Sequence, residues 1–343
     1  MRLRKRCTAW DTPGSEKIVT NNEKKVRAPT VSCLLVTMQL TILVPQPPYD
    51  FSMSAAIFSG GEPDIRTFND GVFRQVLDTG NAPVLAEVRS SGTTEDPRLA
   101  LTIRSDRQVS RNDTRRAWAQ VASILSISDD LNPFYRAVAG DPVLGDLTTR
   151  LRGVRAPVTP SVFEALTDSI IEQQISLKAA HSIENRLIRA VGKTLGLDGT
   201  VFYCYPDPEI LAGTPDSTFR ACGLTIRKGE YIRDISRFIC AGDLDVEGLR
   251  NYQETERIIE ELVKIRGIGQ WTAELTVLRG LHRPDAFPAD DVRVQRLISQ
   301  FYLGGRKITP AEARIFAERW GAWKGFAAYY LEVADLLGIR PAV

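Results

Sequence analysis

The residues with the clearest chemical potential are two glycines, Gly267 and Gly269, which interrupt a helical pattern between residues 256 and 280. Apolar residues recur at helical spacing on both sides of this short link. Glycine has no Cβ, so it permits positive φ and lets another backbone come close. The helix that resumes at Gln270 also offers unpaired amides and a dipole that favour a phosphate. The link therefore predicts either a plain turn between packed helices or a cradle for an anion.

Two adjacent carboxylates, Asp290 and Asp291, follow the link in the segment FPADDVRVQR, where another helical pattern starts. A fixed, ionised carboxylate stabilises positive charge that develops on a sugar, and it orients or deprotonates an attacking water. An aspartate that opens a helix is also the ordinary N-cap residue. Taken alone, the pair is explained more simply as a cap than as a catalytic group.

The indole side chains of Trp271 and Trp323 are a second kind of group that suits a positively charged ring. Indole faces bind electron-poor rings by stacking and cation–π attraction, each on the order of 0.5–2 kcal/mol. Both tryptophans are also consistent with burial in the core, where large aromatic side chains pack. The two histidines, His181 and His282, are interpreted as structural or surface residues.

The composition is that of a globular protein with two or three domains, since the chain has 343 residues, 43% hydrophobic and 25% charged. A net charge of +2 is compatible with nucleic-acid binding but does not demand it. Five scattered cysteines without a C-x-x-C pair argue against a disulfide framework, a zinc site and an iron–sulfur cluster. With no apolar segment long enough to span a bilayer, we expect a cytoplasmic protein with reduced thiols.

Three regions must position these residues. Residues 1–37 have no readable period and are interpreted as a disordered tail or a wrongly assigned start, since Met38 begins a clean strand pattern. Residues 38–132 combine short β-rich runs with two helical patterns, which predicts an α+β domain with an antiparallel sheet. Residues 133–343 carry successive helical periods, with Thr309 as one N-cap, and predict an all-α region that contains the link. The predicted fold class is therefore α+β.

The pattern of the link, apolar-x-Gly-apolar-Gly, resembles the helix-hairpin-helix motif, which grips a DNA backbone without reading its sequence. Together with the downstream carboxylates it is similar to the signature of the helix-hairpin-helix superfamily of base-excision DNA glycosylases. In that family a carboxylate at this spacing points into the base pocket, and Asp291 rather than Asp290 matches the catalytic position. The likeness extends from about residue 38 to residue 338.

Trp271 and the cysteine pattern separate this chain from two branches of that superfamily. Members that also nick the strand carry a lysine at the position of Trp271, where it forms a Schiff base with the sugar. The iron–sulfur branch has four cysteines near its C-terminus, whereas no cysteine follows Cys240 here. What remains resembles the 3-methyladenine DNA glycosylase II family. PPYDF at residues 47–51 resembles the opening of its TATA-binding-protein-like N-terminal domain, and AERWGAWKGFAAYYL at residues 317–331 resembles its closing helix.

The resemblance implies roles for further residues. Trp271 and Trp323 would line the base pocket with Leu275, which stands where some relatives carry an aromatic residue. Gln174 aligns with the wedge that fills the gap left by an extruded base, and a solvated turn glutamine is the alternative. The remaining implied contacts are with the DNA backbone at Gly267, Gly269, Gln270 and Thr272, and with a sodium or potassium ion at the backbone carbonyls of Val263, Ile265 and Ile268.

The function implied by the resemblance is that of a monofunctional DNA N-glycosylase. It would act as a monomer that flips alkylated, cationic purines such as 3-methyladenine out of double-stranded DNA and releases them by hydrolysis with the help of Asp291. No organic cofactor, zinc or iron–sulfur cluster is expected. Two alternatives stay open. One is a glycosylase for hypoxanthine, uracil, ethenoadenine or an oxidised purine, and the other is a non-catalytic helix-hairpin-helix DNA-binding protein.

Overall fold

The computed structural model describes residues 37–340 of the chain. Its first part combines a sheet with two helices. In chain order these elements are β1 (Thr37–Leu43), α1 (Phe51–Phe58), β2 (Arg66–Asn69), β3 (Val72–Asp78), β4 (Pro83–Ser90), β5 (Leu99–Ser105) and α2 (Arg111–Ile124). The expectation for residues 1–37 lies outside the described residues, except that Thr37 begins β1.

The sheet is antiparallel throughout, with the strand order β1-β5-β4-β3-β2. Its inner face is apolar because the strands alternate: in β5, Leu99, Leu101 and Ile103 are buried and the residues between them are only partly buried. Helix α2 packs on this face and begins with a capping box formed by Ser110 and Asp113. The predicted α+β class with an N-terminal antiparallel sheet is confirmed.

The remainder of the chain is mainly helical. Within residues 37–340, no helix is both long and apolar enough to cross a membrane. The elements are α3 (Asn132–Val138), α4 (Leu144–Arg150), α5 (Val162–Glu172), α6 (Leu177–Val191), β6 (Thr194–Leu197), β7 (Thr200–Tyr203), α7 (Pro208–Gly213), α8 (Asp216–Cys222), α9 (Ile226–Ala241), a 3-10 helix (Glu247–Asn251), α10 (Thr255–Val263), α11 (Gln270–Gly280), α12 (Val292–Tyr302), α13 (Pro310–Ala317), a second 3-10 helix (Glu318–Trp323) and α14 (Lys324–Leu336).

A short hairpin of β6 and β7 corrects the expectation of an all-α region after residue 133. Asp198 and Gly199, both with positive φ, form the two-residue turn between the strands. An Asp-Gly pair between apolar residues is a strong hairpin signal, but the long helical periods on either side obscured it. Leu195 and Leu197 of β6 are buried in a small cluster with residues of β3 and β4, so the hairpin also ties the helices to the sheet.

Two apolar cores stabilise the helical region. The first core lies around α5, α9, α10 and α11 and includes Ile258 and Leu262. The second lies around α3, α4, α12 and α14 and includes Leu297 and Leu331. The chain crosses from the first core to the second in the segment between α11 and α12. This segment carries the two carboxylates singled out from the sequence, so the candidate site lies where the two cores meet.

The PPYDF segment forms a joint between the sheet and the helices. Tyr49 and Phe51 are buried, and Asp50 is the N-cap of α1. The guanidinium of the buried Arg155 donates to the carbonyl of Gln46 at 2.6 Å and lies 5.2 Å from the centroid of the Tyr49 ring. A buried cation that is stabilised in this way holds the N-terminal part in a defined position against the helices.

A small polar cavity lies between the sheet and helices α5 and α6. Glu164, which is 4% exposed, lines it together with Arg66, Gln75 and Glu184. Burial raises the pKa of Glu164 to about 8, while Arg66 opposes this shift and Glu184 adds to it. The carboxyl group is therefore largely protonated in the folded protein at neutral pH.

Glu164→Gln should stabilise the protein, and should do so more at pH 8 than at pH 5. Because the folded state has the higher pKa, the unfolded state loses the proton first, and wild-type stability falls as the pH rises from about 4.5 to about 8. Glutamine removes this loss, which we expect to be about 1–4 kcal/mol in the free energy of unfolding. Denaturant titrations at both pH values measure it, with the exposed Glu318→Gln as control. An equal gain at both pH values would contradict the titration of Glu164.

Candidate active site

The two glycines of the hairpin have different structural roles. Gly267 has a φ of 92°, and a Cβ at this position would overlap the ring of Tyr231 from α9. Gly269 is extended, with φ −94° and ψ 177°, and a Cβ there would meet no atom within 4 Å among the described residues. Ile268 between them is 4% exposed and lies in the first core. Gly267 is thus required by the turn itself, whereas Gly269 leaves open space.

The first turn of α11 presents backbone amides at this open end. Ala273 is the first residue of the helix whose amide bonds back, to the carbonyl of Gly269 at 3.0 Å. The amides of Gln270, Trp271 and Thr272 therefore have no partner within the helix. Unpaired N–H groups and the positive end of the helix dipole favour a phosphate at this position.

The side chains of the two polar residues in this turn are already engaged within the protein. Gln270 Nε2 donates to Glu274 Oε1 at 2.8 Å. The hydroxyl of Thr272, a residue that is 2% exposed, accepts from Gln173 Nε2 at 3.0 Å, and the same nitrogen donates to the carbonyl of Gly267 at 3.0 Å. A contact between Thr272 and a phosphate would therefore involve its amide rather than its hydroxyl.

The turn between α5 and α6 lies beside the hairpin and exposes Gln174. Gln173 connects this turn to the hairpin, and Lys228 connects it to α9 by donating to the carbonyls of Ile171 at 2.8 Å and Gln173 at 2.6 Å. Gln174 has a φ of 57°, which is uncommon for a residue other than glycine. An exposed side chain on a strained turn that is held from two sides suits the predicted wedge.

Asp291 is held by two hydrogen bonds, one to each carboxylate oxygen. Its Oδ1 accepts from the amide of Arg293 at 2.8 Å, which makes Asp291 the N-cap of α12. Its Oδ2 accepts from Trp271 Nε1 at 3.0 Å. The neighbouring Asp290 is exposed and lies 3.8 Å from the guanidinium of Arg314. Asp291, and not Asp290, therefore both caps α12 and lies beside the hairpin.

The expected pocket residues occupy two places. Leu275 follows Trp271 by one helical turn on α11 and is 5% exposed. Trp323 packs against Phe134 and Phe326, with ring centroids 5.8 Å apart in both pairs. Within residues 37–340, no hydrogen bond or ring contact joins Trp323 to Trp271 or to the carboxylate beside it. The structure brings Trp271 to the carboxylate and places Trp323 on the second core.

Charged groups from neighbouring helices surround this carboxylate, and the sequence analysis did not identify them. Arg279 of α11 pairs with Glu172 of α5 at 2.6 Å. On α14, burial raises the pKa of Glu332. Arg293 and Arg279 oppose that shift, whereas Asp291 and Glu172 add to it. Glu332 and Asp335 are the two carboxylates of the otherwise apolar final helix, but only packing shows which groups each of them meets.

The carbonyls expected to hold a cation lie at the end of α10 and in the link. A helix C-terminus leaves carbonyls without partners and carries the negative end of the dipole, so it suits a cation. The carbonyl of Ile265 accepts the amide of Ile268 at 3.1 Å and retains a second lone pair. In the part of the chain that the structure describes, no group of three or more His, Cys, Asp or Glu side chains could hold a metal. A cation on the backbone oxygens of Val263, Ile265 and Ile268 stays a prediction from the resemblance.

Comparison with known proteins identifies the class of this fold and site. The family model described as HhH-GPD superfamily base excision DNA repair protein matches residues 167–322. The DNA-3-methyladenine glycosylase of Bacillus subtilis (strain 168) is 33% identical over 207 residues, which cover 60% of this chain and 67% of that protein. The structure of a 3-methyladenine DNA-glycosylase from Archaeoglobus fulgidus aligns with a TM-score of 0.76 at 25% identity, covering 87% of this chain and 99% of that one.

The chain belongs to the HhH-GPD superfamily of base excision DNA repair proteins. Within it, the resemblance to the 3-methyladenine DNA glycosylases that the sequence suggested is confirmed. An 8-oxoguanine glycosylase/lyase from Clostridium acetobutylicum also aligns, with a TM-score of 0.69 at 20% identity over 89% of this chain and 98% of that one. At that identity the likeness concerns the fold alone.

Alanine substitutions at the two glycines should show that one is needed for folding and the other for DNA binding. Alanine at Gly267 must adopt a positive φ and displace Tyr231, so we expect a loss of about 1–3 kcal/mol in the free energy of unfolding. Alanine at Gly269 fits the extended backbone, so stability should change by less than about 0.5 kcal/mol. Its methyl group, however, enters the space before the helix amides, and the dissociation constant for duplex DNA should rise at least about threefold.

Denaturant titration and fluorescence anisotropy with a labelled duplex measure these two effects. Each variant is the control for the other, since the same change is made two residues apart. If Gly269→Ala bound DNA as tightly as the wild type, the phosphate would not lie in front of this turn.

Proposed function

We propose that this protein is a monofunctional DNA glycosylase that extrudes alkylated, positively charged purines such as 3-methyladenine from duplex DNA and releases them by hydrolysis. The observation that supports the proposal most directly is the Asp291 carboxylate, which the Trp271 indole holds beside the hairpin at 3.0 Å. The names of its relatives agree with this activity, since both the Bacillus subtilis protein and the Archaeoglobus fulgidus protein are described as 3-methyladenine glycosylases.

Asp291 would act on the sugar. Departure of the base leaves positive charge on the deoxyribose, and a fixed carboxylate stabilises that charge and orients or deprotonates the attacking water. The N–H donors of Trp271 and Arg293 orient the two oxygens, and the N-terminus of α12 stabilises their negative charge. Because these groups are fixed by packed helices, the carboxylate is in place before a substrate arrives.

The base pocket would use Trp271 for stacking. A cationic purine departs as a neutral base, so it needs no general acid. The indole of Trp271, oriented by its bond to Asp291, offers a face to such a ring, worth on the order of 0.5–2 kcal/mol. Leu275 adds an apolar wall without an aromatic face, and Trp323 would close the pocket from the side of α14.

The DNA would be held by backbone groups rather than by base-specific side chains. The amides at the start of α11 would bind a phosphate in front of Gly269. A sodium or potassium ion on the carbonyls of Val263, Ile265 and Ile268 would neutralise charge on the same phosphate. Gln174 would enter the stack and fill the gap left by the extruded base.

Asp291→Asn should abolish base release while leaving DNA binding intact. Asparagine remains a good N-cap, because its one acceptor oxygen can keep the bond from the Arg293 amide, but its NH2 group cannot accept from Trp271 and it lacks the negative charge that the transition state requires. We expect the single-turnover rate constant for release of 7-methylguanine from methylated duplex DNA to fall at least about a hundredfold. The dissociation constant for the same duplex should change less than about threefold.

Asp290→Asn is the matched control, because it neutralises the adjacent carboxylate, which is exposed and faces Arg314. This variant should release base at the wild-type rate. Undiminished release by Asp291→Asn would remove the catalytic assignment. A wild-type protein that binds methylated DNA without releasing any base would support the DNA-binding alternative instead.

Trp271 also predicts base release without strand cleavage, because an indole cannot form the Schiff base on which a lyase step depends. Duplexes that each carry one 7-methylguanine, hypoxanthine, ethenoadenine, uracil or 8-oxoguanine should break at the lesion only after alkali treatment of the abasic product. Strand breaks before alkali, trapped as a covalent complex by borohydride, would contradict the monofunctional assignment. Strongest release from uracil or 8-oxoguanine would overturn the assignment of the lesion.

A further inference from the structure

Helices α12 and α14 run side by side in the same direction. Arg296 of α12 pairs with Asp335 of α14 at 2.8 Å, and these residues are 39 positions apart in sequence. The guanidinium of Arg340 lies 5.6 Å from the centroid of the Phe301 ring, and this pair has the same separation. Because Arg340 follows the end of α14, the Arg296–Asp335 pair is the contact that sets the register between the two helices, and the Arg340 contact continues in the same direction.

One helical turn earlier, the same register places Glu332 beside Arg293. The amide of Arg293 bonds to the Asp291 carboxylate at 2.8 Å, so Glu332 lies close to the N-terminal end of α12 and to the proposed catalytic group. The electrostatics agree with this placement. Burial raises the pKa of Glu332, Arg293 is the strongest charge that opposes the shift, and Asp291 adds to it.

Within residues 37–340 the carboxyl group of Glu332 forms no hydrogen bond or ion pair, and the residue as a whole is partly buried. Arg279, the other nearby cation, is engaged by Glu172 at 2.6 Å. The hydroxyl of Tyr329, one turn away on α14, donates to the carbonyl of Arg155 at 3.0 Å. A carboxyl group without a partner beside a reaction site is costly to keep unless a ligand uses it.

Building on the proposed function, we propose that Glu332 contacts the extruded base and selects for lesions that carry a positive charge. In this proposal Asp291 stabilises positive charge on the sugar, and Glu332 contacts the base. The ionised Glu332 carboxylate attracts a cationic purine and accepts a hydrogen bond from its exocyclic amine. A neutral base such as hypoxanthine gains little from it.

The contribution of Glu332 belongs to binding rather than to the chemical step. The positive charge lies on the alkylated base before the bond breaks and moves to the sugar as the base departs. A carboxylate next to the base therefore stabilises the bound lesion at least as well as the transition state, whereas Asp291 stabilises the transition state. Removal of Glu332 should weaken the bound state without slowing the saturated reaction.

The test is Glu332→Gln, assayed in single turnovers on duplexes that carry one 7-methylguanine or one hypoxanthine. For 7-methylguanine, the enzyme concentration at half saturation should rise about tenfold, and the rate constant at saturation should change less than about threefold. For hypoxanthine both parameters should stay within about threefold of the wild type. In the wild type, half saturation on 7-methylguanine should improve as the pH rises, because Glu332 must lose its proton, and this trend should be absent from Glu332→Gln.

Glu318→Gln is the control, because it makes the same change at an exposed glutamate that pairs with Lys324. Glu332→Asp keeps the charge and should recover part of the preference, which separates charge from packing. Equal effects on both lesions, or an effect on the rate constant only, would overturn the role of Glu332 and leave the proposed function standing. A wild-type protein that releases neither base would instead refute the proposed function, and this inference with it.

Discussion

The hydrogen bond from Trp271 Nε1 to Asp291 Oδ2 is the interaction on which the site depends. Trp271 stands at the start of α11, a helix that packs in the first core, and Asp291 caps α12, which packs in the second. This polar contact joins the two groups of helices and fixes where the carboxylate lies relative to the hairpin. It also orients the indole, so the stacking face and the charged group are placed together.

The two glycines of the hairpin are subject to different constraints. The fold requires glycine at position 267, because the positive φ and the contact with Tyr231 exclude a side chain. The space in front of Gly269 is open, which is where we propose that a phosphate binds. Gln173 then fastens the neighbouring turn to the same hairpin, so that Gln174 is presented from a fixed base. The proposed phosphate site and the proposed wedge are therefore supported by the same hydrogen-bonded turn.

The charge distribution around the cleft explains how a chain with little net charge suits a cationic base. Arg279 is neutralised by Glu172, and the amide of Arg293 orients Asp291. The carboxyl groups of Asp291 and Glu332 are close enough that Asp291 adds to the raised pKa of Glu332, of which burial is the main cause. A cleft of this kind stabilises positive charge on a ligand or on a developing sugar cation more than it would a neutral molecule.

The sequence by itself determined the local features. These are the glycine turn, the helix that begins after Asp291, the indole of Trp271 where a lysine would support a lyase step, and the alternation of apolar and polar residues that gives the sheet one apolar face. Neighbouring residues suffice to specify a turn, a cap or a strand. Only the tertiary structure shows that Asp291 accepts a hydrogen bond from Trp271, that Trp323 packs on the second core, and that Glu332 of α14 lies near Arg293 and Asp291. These contacts join residues far apart in the chain, and they depend on the register in which α11, α12 and α14 pack.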